Sequence, residues 1–341
     1  MRFLILGAGA IGGYVGGSLA LHGHAAAFLC RAATAAALRE RGLRLTNPAG
    51  ENILRPIVLE TVAEALRMEP YDALLVAVKR YDTEAAIQPL LPIARELPPI
   101  LCLQNGLDAE AELAGHFGEE NVIPGTVLTA VARPAPNEII VEKFRGMGVA
   151  AGHPATPEIL RALEGAGLNP RLYPDAASMK WSKLLTNLTA NPLSAILDMP
   201  PAEIFAHPGL FRVEMRQLCE ALAVMRKLGA RVVDLPGTPV RLLAFGARYL
   251  PAGIARPLMG RVLGRGRGGK MPSFHVDLHS GRGRSEVGFL HGAVADYGER
   301  VGVAAPVNRW LADTLAGLVD GAIPLGKYAR RPDALLAELG M

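Results

Sequence analysis

Short apolar runs alternate with amphipathic stretches along the first half of the chain. Runs of this kind predict buried strands, and the stretches between them predict helices. The predicted strands are Phe3–Leu6, Ala25–Cys30, Ala73–Val78, Ile100–Leu103 and Val122–Thr126. Strands that alternate with helices are typical of a parallel sheet covered by helices on both faces.

Beyond the last of these runs the pattern changes. A further extension of the sheet is predicted around Glu138–Ala151. From Asp175 onward, apolar positions recur at helical spacing, which predicts helices alone. The 341 residues are enough for about two domains of ordinary size. We therefore predict an α/β domain in residues 1–174 and an all-helical domain in residues 175–341.

The composition indicates a folded protein. Hydrophobic residues make up 50% of the chain and charged residues 20%, which is not the balance of a disordered chain. Lys and Arg exceed Asp and Glu by 36 − 32 = 4, too small a surplus to indicate nucleic-acid binding. Cys30, Cys102 and Cys219 are far apart and form no CxxC pair, so we expect neither a disulfide framework nor a structural zinc site, and a reducing cytoplasm fits.

The stretch from Phe3 to Cys30 contains no charged residue and so imitates a membrane or secretion signal. Seven of its residues are glycines, which would make an apolar helical span unstable. We therefore expect no targeting or membrane segment there.

Several of these glycines lie between a strand-like run and a helical pattern. The turn reads Gly7-Ala8-Gly9-Ala10-Ile11-Gly12. Gly7 allows a tight turn, Gly9 allows the backbone to approach a pyrophosphate, and Gly12 allows close packing of helix on strand. The N-terminus of the following helix offers N–H groups and positive potential to phosphates. The motif predicts a dinucleotide site in a Rossmann-type doubly wound sheet, against the alternative of a glycine-rich loop without a ligand.

Arg31 follows the second predicted strand, where the residue type discriminates between the two nicotinamide cofactors. An acidic side chain there would accept hydrogen bonds from a ribose hydroxyl and repel a 2′-phosphate. A guanidinium forms paired charge-assisted bonds to phosphate, so Arg31 favours NADP(H) unless it is a solvated surface arginine. Lys79 follows the third predicted strand, at the edge where such sheets bind ligands, and is a second candidate for the cofactor.

Lys183, Asn187 and Asn191 recur every four residues near the start of the second half, which places them on one face of a helix. An ammonium and two carboxamides are costly to bury without partners. The face is therefore either a polar site or a solvent-facing stripe, and the spacing alone does not decide. Pro192 removes a helical hydrogen bond and restricts Asn191, which predicts a kink that opens space for a ligand.

Together these features resemble the ketopantoate reductase family, the 2-dehydropantoate 2-reductases, along nearly the whole chain. The motifs that carry the resemblance are the glycine turn, Val78-Lys79, Gln104-Asn105-Gly106, the run from Lys183 to Leu193, and Ser273-Phe274-His275-Val276-Asp277 followed by Glu286. The last two motifs separate this family from other Rossmann dehydrogenases. The resemblance implies an enzyme of pantothenate synthesis that uses NADPH to reduce a 2-keto acid.

The resemblance also implies a role for each matching residue. Lys183 would be the general acid and Glu286 its partner at the substrate, while Asn105 would lie between nicotinamide and substrate. The further substrate-binding residues would be Asn187, Asn191 and Ser273. An ammonium held by a carboxylate suits the reaction, because hydride addition to a keto carbonyl builds alkoxide charge. Without the resemblance, Glu286 would be interpreted as a surface carboxylate and Asn105 as a turn residue.

The chain departs from the family pattern at three positions. Pro201 stands where a further asparagine is common, Gly288 where an acidic residue is common, and His291 where an asparagine is usual. These changes leave the hydride-transfer chemistry intact and bear on the contacts to the distal part of the substrate.

The segment from Arg226 to Lys270 carries ten basic residues against Asp234 alone. Two functional interpretations are an anionic ligand or an acidic membrane surface. We favour a solvated insertion, because Pro and Gly interrupt any continuous amphipathic helix in this segment.

We therefore expect an oxidoreductase that binds NADP(H) and a small 2-keto acid in a cleft between its two domains, with no metal, nucleic acid or membrane partner. The helical half would support a homodimer, with Trp310, Leu311 and Leu315 in the interface or in the core. Two other hypotheses stay open: an NADP-linked dehydrogenase for a different 2-keto or 2-hydroxy acid, and a dinucleotide-binding regulator without turnover.

Overall fold

The computed structural model describes residues 1–259, 271–281 and 283–341. By internal contacts the chain divides into two compact units. Unit 1 comprises Met1–Lys180 and Leu235–Thr238, and unit 2 comprises Trp181–Asp234 and Pro239–Met341. The chain first passes from unit 1 to unit 2 within a helix, a few residues after the division near residue 174 that the sequence predicts, and Leu235–Thr238 returns briefly to unit 1.

A central sheet organises unit 1. Among the described residues it has eight strands in the spatial order β5-β2-β1-β6-β7-β8-β11-β12. The strands are β1 (Arg2–Leu6), β2 (Ala25–Leu29), β5 (Ile57–Leu59), β6 (Ala73–Val76), β7 (Ile100–Cys102), β8 (Val122–Val127), β11 (Met147–Ala150) and β12 (Pro170–Tyr173). Neighbours are parallel except β8 and β11. The first six strands follow the doubly wound Rossmann order, which confirms the predicted fold and the predicted strands.

Both faces of the sheet are buried, as the runs of consecutive apolar residues require. On β1, Phe3 and Ile5 belong to one hydrophobic core, while Leu4 and Leu6 belong to another on the opposite face. The α-helices that lie wholly in unit 1 are α1 (Ala10–Leu21), α2 (Ala32–Arg41), α3 (Val62–Leu66), α4 (Thr83–Ile87), α5 (Ala109–Phe117) and α6 (Thr156–Gly165), with 3₁₀ helices at Arg80–Asp82, Gln88–Glu96 and Glu119–Asn121.

A second, smaller sheet lies in unit 1 and corrects one prediction. Its described strands are β3 (Leu43–Asn47), β4 (Gly50–Leu54), β9 (Ala130–Ala132) and β10 (Glu138–Lys143), in the order β4-β3-β10-β9. The predicted extension of the main sheet over Glu138–Ala151 is therefore wrong for its first half, because β10 pairs with β3 and β9. Only β11 joins the main sheet.

The glycines of α1 explain how this helix fits between the two sheets. A Cβ on Gly16 would lie 2.7 Å from Phe28 of the main sheet. A Cβ on Gly13 would lie 2.7 Å from Ile139, and one on Gly17 would lie 2.9 Å from Leu43, both in the smaller sheet. Side chains at these positions would push the helix away from both sheets.

Unit 2 is helical in the residues that the structure describes, as predicted. Its helices are the end of α7 (Ala176–Leu188), then α8 (Asn191–Leu197), α9 (Pro201–Ala206), α10 (Pro208–Lys227), α11 (Val240–Tyr249), α12 (Ala252–Met259), α13 (Ser273–His279), α14 (Ala293–Arg300), α15 (Pro306–Val319) and α16 (Pro332–Glu338). Leu311 and Leu315 are wholly buried, and the ring of Trp310 packs edge-on against Tyr328, so these three residues serve the core of unit 2. Within the described ranges, no helix combines the length and apolar character needed to cross a membrane.

The basic segment is described in part. Leu250 and Pro251 separate α11 from α12, so the amphipathic pattern is interrupted as predicted. Arg261, Arg265, Arg267 and Lys270 lie outside the described residues.

Candidate functional site

The glycine turn connects β1 to α1 at the point where the strand order reverses. Gly7 has φ +98°, and a Cβ there would lie 2.7 Å from Val78 Cγ1. A Cβ on Gly12 would lie 1.9 Å from the Gly7 carbonyl oxygen. Only glycine therefore fits at these two positions, because a side chain would clash with other atoms of the protein itself, whether or not a cofactor is bound.

Gly9 has a different role, because a Cβ there would meet no described heavy atom within 4 Å. Gly9 precedes α1, and among the described residues no side chain caps this helix end. The N–H groups of the first helical turn point toward the turn, and Ala8, Ala10 and Ile11 add no charge. Open space in front of uncapped N–H groups fits a dinucleotide pyrophosphate.

Arg31 follows β2 and is the N-cap residue of α2. Its side chain is 89% exposed, and Nη2 lies 3.5 Å from Asp82 Oδ2. The sequence contains no acidic residue near Arg31, so this carboxylate is brought in by the fold. Because an exposed ion pair contributes little, the guanidinium can turn toward a phosphate at small cost.

Lys79 follows β6 and is half-buried, in the loop whose Val78 contacts the glycine turn. The next residue, Arg80, is buried and forms an ion pair with Glu112, 2.6 Å between Nη1 and Oε2. The Arg80 carbonyl accepts a hydrogen bond from Thr83. The backbone that follows Lys79 is therefore anchored at Arg80.

Asn105 follows β7 and is half-buried. Its neighbour Gln104 is buried and ties this loop to the Lys79 loop: Nε2 donates to the Val78 carbonyl at 3.0 Å and to Thr83 Oγ1 at 2.8 Å. The glycine turn, Lys79 and Asn105 thus lie at the carboxyl edge of three adjacent strands.

Lys180 is a buried residue that the sequence analysis missed. Its Nζ lies 2.7 Å from Glu110 Oε1 and donates hydrogen bonds to the carbonyls of Gln104 at 2.8 Å and Gly125 at 3.3 Å. The ammonium therefore joins α7 to the backbone directly before Asn105. Nothing in the spacing of these residues along the chain indicates the contact.

Unit 2 carries the other predicted site residues. The first of them lie on either side of a helix break. Helix α7 ends at Leu188, Ala190 takes a left-handed conformation with φ +54°, and α8 begins at Asn191. The expectation that Lys183 and Asn191 share the face of one helix is therefore wrong, and the break is larger than the kink predicted from Pro192. It occurs before Asn191 because α8 begins anew with proline in its first turn.

Two buried side chains of α10 stabilise the break. Glu214 accepts a hydrogen bond from the Ala190 N–H at 2.8 Å, and Gln217 donates to the Leu188 carbonyl at 3.3 Å. Both side chains are wholly buried. A helix end in a core leaves backbone groups without partners unless side chains supply them, so these two residues make the break possible.

Asn191 connects α8 to α13. Its Nδ2 donates to the Asn187 carbonyl at 3.2 Å and lies 3.4 Å from Ser273 Oγ, and its Oδ1 accepts from the Phe274 N–H at 3.1 Å. Asn191 is 5% exposed, Lys183 and Asn187 are half-buried, and Ser273 is exposed. The structure thus brings Asn187, Asn191 and Ser273 together in one part of unit 2.

Glu286 is 4% exposed, which differs from the surface position that its local sequence suggests. It lies before a π-helical turn, Gly288–Gly292, and its carbonyl accepts a hydrogen bond from the Phe289 N–H. A buried carboxylate is costly unless it is charge-paired or hydrogen-bonded, so its burial indicates more than a surface role.

His291 belongs to the core. It is wholly buried, its Nε2 lies 2.9 Å from Gln217 Oε1, and its ring packs against Phe274. Burial lowers the pKa of the imidazole from 6.5 to about 3, so the ring is neutral at ordinary pH. Because the Gln217 amide nitrogen donates to Leu188, its oxygen accepts the proton on Nε2. The departure from the family pattern at this position is therefore accommodated inside unit 2.

A doubly wound sheet with a glycine turn at its switch point, followed by a helical unit that carries buried polar residues, defines the class of nicotinamide-linked dehydrogenases with a Rossmann domain. The family model described as "Ketopantoate reductase PanE/ApbA" matches residues 3–151, and its C-terminal counterpart matches residues 175–319. The chain belongs to the ketopantoate reductase family, a family of oxidoreductases.

Two similar proteins align with this chain over nearly its full length. The 2-dehydropantoate 2-reductase of Halobacterium salinarum is 30% identical over 92% of this chain and 97% of that protein. The protein of the same name from Mesorhizobium japonicum is 28% identical over 90% of this chain and 94% of that protein.

Solved structures share the fold. A ketopantoate reductase of the same family from Ralstonia eutropha has a TM-score of 0.80 at 24% identity, over 94% of this chain and 99% of that one. A D-mandelate dehydrogenase solved with NADH and anilino(oxo)acetate has a TM-score of 0.77 at 20% identity, with the same coverage.

Proposed function

We propose that the chain reduces a small 2-keto acid with NADPH, and that the substrate is 2-dehydropantoate, which is converted to pantoate for pantothenate synthesis. The observation that carries the proposal is the joining of Asn191 to Ser273 and Phe274. This contact joins, within unit 2, the two motifs that separate the ketopantoate reductase family from other Rossmann dehydrogenases. The names of the full-length relatives support the same substrate.

Unit 1 supplies the cofactor side of the proposal. The N–H groups of the Gly7–Gly12 turn hold the pyrophosphate, Arg31 binds the 2′-phosphate, and Lys79 and Asn105 lie along the same sheet edge. When bound, the reduced nicotinamide supplies a hydride. The network around Gln104 fixes the position of Asn105 before substrate arrives.

Unit 2 supplies the acid and the substrate amides. Lys183 Nζ donates a proton to the substrate oxygen as that oxygen gains negative charge, and Glu286 holds the ammonium by its opposite charge. Asn187, Asn191 and Ser273 donate and accept hydrogen bonds to fix the substrate. A preorganised set of donors of this kind stabilises an alkoxide without reorganisation during the reaction.

The test is a reduction assay with 2-dehydropantoate and a panel of other 2-keto acids, each with NADPH and with NADH. We expect the highest kcat/KM for 2-dehydropantoate with NADPH. Lys183→Ala should lower kcat by about 100-fold or more, the usual size of a general-acid contribution, with cofactor affinity retained. Lys227→Ala, an exposed lysine at the end of α10, is the matched control and should keep full activity.

Each alternative predicts a different result. A higher kcat/KM for another 2-keto acid would assign the chain to a different substrate, an outcome that Pro201 and the fold shared with a mandelate dehydrogenase keep in view. Binding of NADPH without oxidation across the panel would indicate a regulator. Unchanged turnover in Lys183→Ala would remove Lys183 from the proposed role.

A further inference from the structure

Three potential metal ligands lie together on the surface of unit 2, and the proposed reaction does not use them. The ligand atoms of Asp198, His275 and His279 all lie within 4.8 Å of one another. His275 Nε2 is 2.8 Å from Asp198 Oδ1, and the two imidazole rings have their centroids 4.2 Å apart.

The backbone holds all three positions. His275 and His279 are four residues apart on α13, so they lie one turn apart on the same helix face. Asp198 ends α8 in a left-handed conformation, with φ +50° and ψ +48°. That conformation is costly for most residues and is tolerated by aspartate and asparagine. The carboxylate therefore comes from the C-terminal end of α8.

The electrostatic surroundings allow a cation. The Asp198 carboxylate supplies a negatively charged oxygen to the cluster, beside the His275 imidazole. The guanidinium of Arg330, which also acts on Asp198, is paired with Glu203 at 2.7 Å. The Asp198 side chain is 51% exposed and that of His275 is 16% exposed, so an ion can reach the cluster from solvent.

We propose that Asp198, His275 and His279 bind a divalent transition-metal ion of the Zn²⁺ class, with water completing the coordination. Two imidazole nitrogens and one carboxylate oxygen form a donor set that suits Zn²⁺ and its neighbours better than Mg²⁺ or Ca²⁺. In a tetrahedral Zn²⁺ site the ligand atoms are about 3.3 Å apart, given bonds of about 2.0–2.1 Å. Rotations of the exposed Asp198 and His279 side chains close the remaining difference.

A metal at this site would link two helices, α8 and α13, that also carry residues proposed to bind the substrate. Helices α8 and α13 begin at Asn191 and Ser273, which contact each other, and the metal would join Asp198 at the end of α8 to His275 and His279 of α13. The bound ion thus stabilises the packing of these helices at the end away from Asn191. This inference does not depend on the substrate or on turnover.

The experiment measures Zn²⁺ binding to the full-length protein, prepared without a histidine tag and stripped with a chelator. Competition with a chromophoric chelator should give one tight equivalent of Zn²⁺, and the melting temperature should rise with Zn²⁺. His279→Ala and Asp198→Asn should each weaken binding by more than about tenfold, since even outer-shell partners of metal ligands contribute 10–100-fold. Asp198→Asn keeps a residue that tolerates the left-handed conformation.

His22→Ala is the matched control, because His22 is an exposed histidine of unit 1 far along the chain from the cluster. It should bind Zn²⁺ as the native protein does. Absence of a tight equivalent in the native protein would overturn the site. Equal Zn²⁺ affinity in His279→Ala and the native protein, or an equal loss in His22→Ala, would show that the metal binds elsewhere and would also overturn it.

Discussion

At the scale of single residues, the buried polar side chains of this protein act by completing hydrogen bonds that the backbone leaves open. Gln104 fills this role beside Asn105, and Glu214 and Gln217 fill it at the helix break. None of the three has a chemical role in the proposed reaction. Their value is positional, because a buried polar group without a partner costs about 1–3 kcal/mol.

His291 should make the stability of the protein depend on pH. Its folded pKa of about 3 lies below the ordinary value of 6.5, so between these values the unfolded chain binds a proton that the folded chain does not. The stabilisation is complete above the ordinary value, and falls by about 1.4 kcal/mol per pH unit as pH decreases below it. Urea unfolding at several pH values from neutral to acidic, followed by circular dichroism, measures this slope.

The matched variant is His291→Asn, which removes the titrating group and restores the residue usual in the family. We expect a lower unfolding free energy at neutral pH and a shallower acid dependence than in the native protein. Identical pH slopes in the two proteins would show that His291 is not the group responsible.

Lys180 should act as a positioning residue for the Asn105 loop. Lys180→Met leaves the half-buried Glu110 without its cation, so we expect a loss of about 2–4 kcal/mol in unfolding free energy. We also expect kcat to fall by about tenfold, equivalent to about 1.4 kcal/mol, because the contact to the Gln104 carbonyl is lost. Urea unfolding and steady-state kinetics measure the two effects.

A double variant separates the structural and positioning effects. Lys180→Met with Glu110→Gln removes both charges, so much of the stability should return. The loss in kcat should persist, because neither new side chain reaches the Gln104 carbonyl as an ammonium does. Recovery of kcat together with stability would mean that Lys180 has only a structural role.

At the scale of elements, side chains of the long helix α10 form hydrogen bonds with backbone groups at the ends of several other helices. Glu214, Gln217 and Glu220 lie three residues apart on α10, and all are buried. Glu220 accepts hydrogen bonds from the N–H groups of Val307 and Asn308 at the start of α15. Carboxylates are favourable at helix N-termini because of the helix dipole. The polar face of α10 therefore organises unit 2 as much as its apolar face.

Two substitutions in the glycine turn should have different effects, one on the stability of the fold and the other on cofactor binding. Gly12→Ala places a methyl group 1.9 Å from the Gly7 carbonyl, so the backbone must move and we expect a loss of about 1–3 kcal/mol in stability. Gly9→Ala meets no described atom within 4 Å and has an ordinary φ of −77°, so its stability should stay within about 0.5 kcal/mol of the native value.

The same two variants differ in NADPH affinity. The new methyl group of Gly9→Ala occupies the space in front of the α1 N-terminus, and we expect at least about tenfold weaker binding in a fluorescence titration. Gly9→Ala that binds NADPH like the native protein would contradict the assignment of this turn to the pyrophosphate.

At the scale of the whole molecule, the choice of cofactor should appear as a difference in thermal stability. A ligand that binds only the folded protein, at a free concentration of about 100 times its Kd, raises the free energy of unfolding by about 2.7 kcal/mol. We expect NADPH to raise the melting temperature more than NADH at equal concentration, because Arg31 pairs with the additional phosphate.

Arg31→Ala should remove that difference by weakening NADPH binding about 10–100-fold, the range of a charge-assisted hydrogen bond, while NADH binding stays nearly unchanged. Arg41→Ala, an exposed arginine at the end of α2, is the control. Equal melting shifts for the two cofactors in the native protein would count against Arg31 as the discriminating residue.

The sequence by itself determined the features that depend on neighbours along the chain. Apolar runs predicted the strands of the main sheet, and the glycine spacing predicted the turn between β1 and α1, because both are local properties of a strand or a helix. The family resemblance added Glu286, which local sequence would have assigned to the surface.

Only the tertiary structure decided the pairing of distant residues. Lys180 and Gln104 are 76 residues apart, and His275 and Asp198 are 77 apart. The placement of β10 in a second sheet depends in the same way on pairing with β3 and β9. Such contacts form because burial forces polar groups to find partners wherever the fold places them, and no periodicity along the chain records that choice.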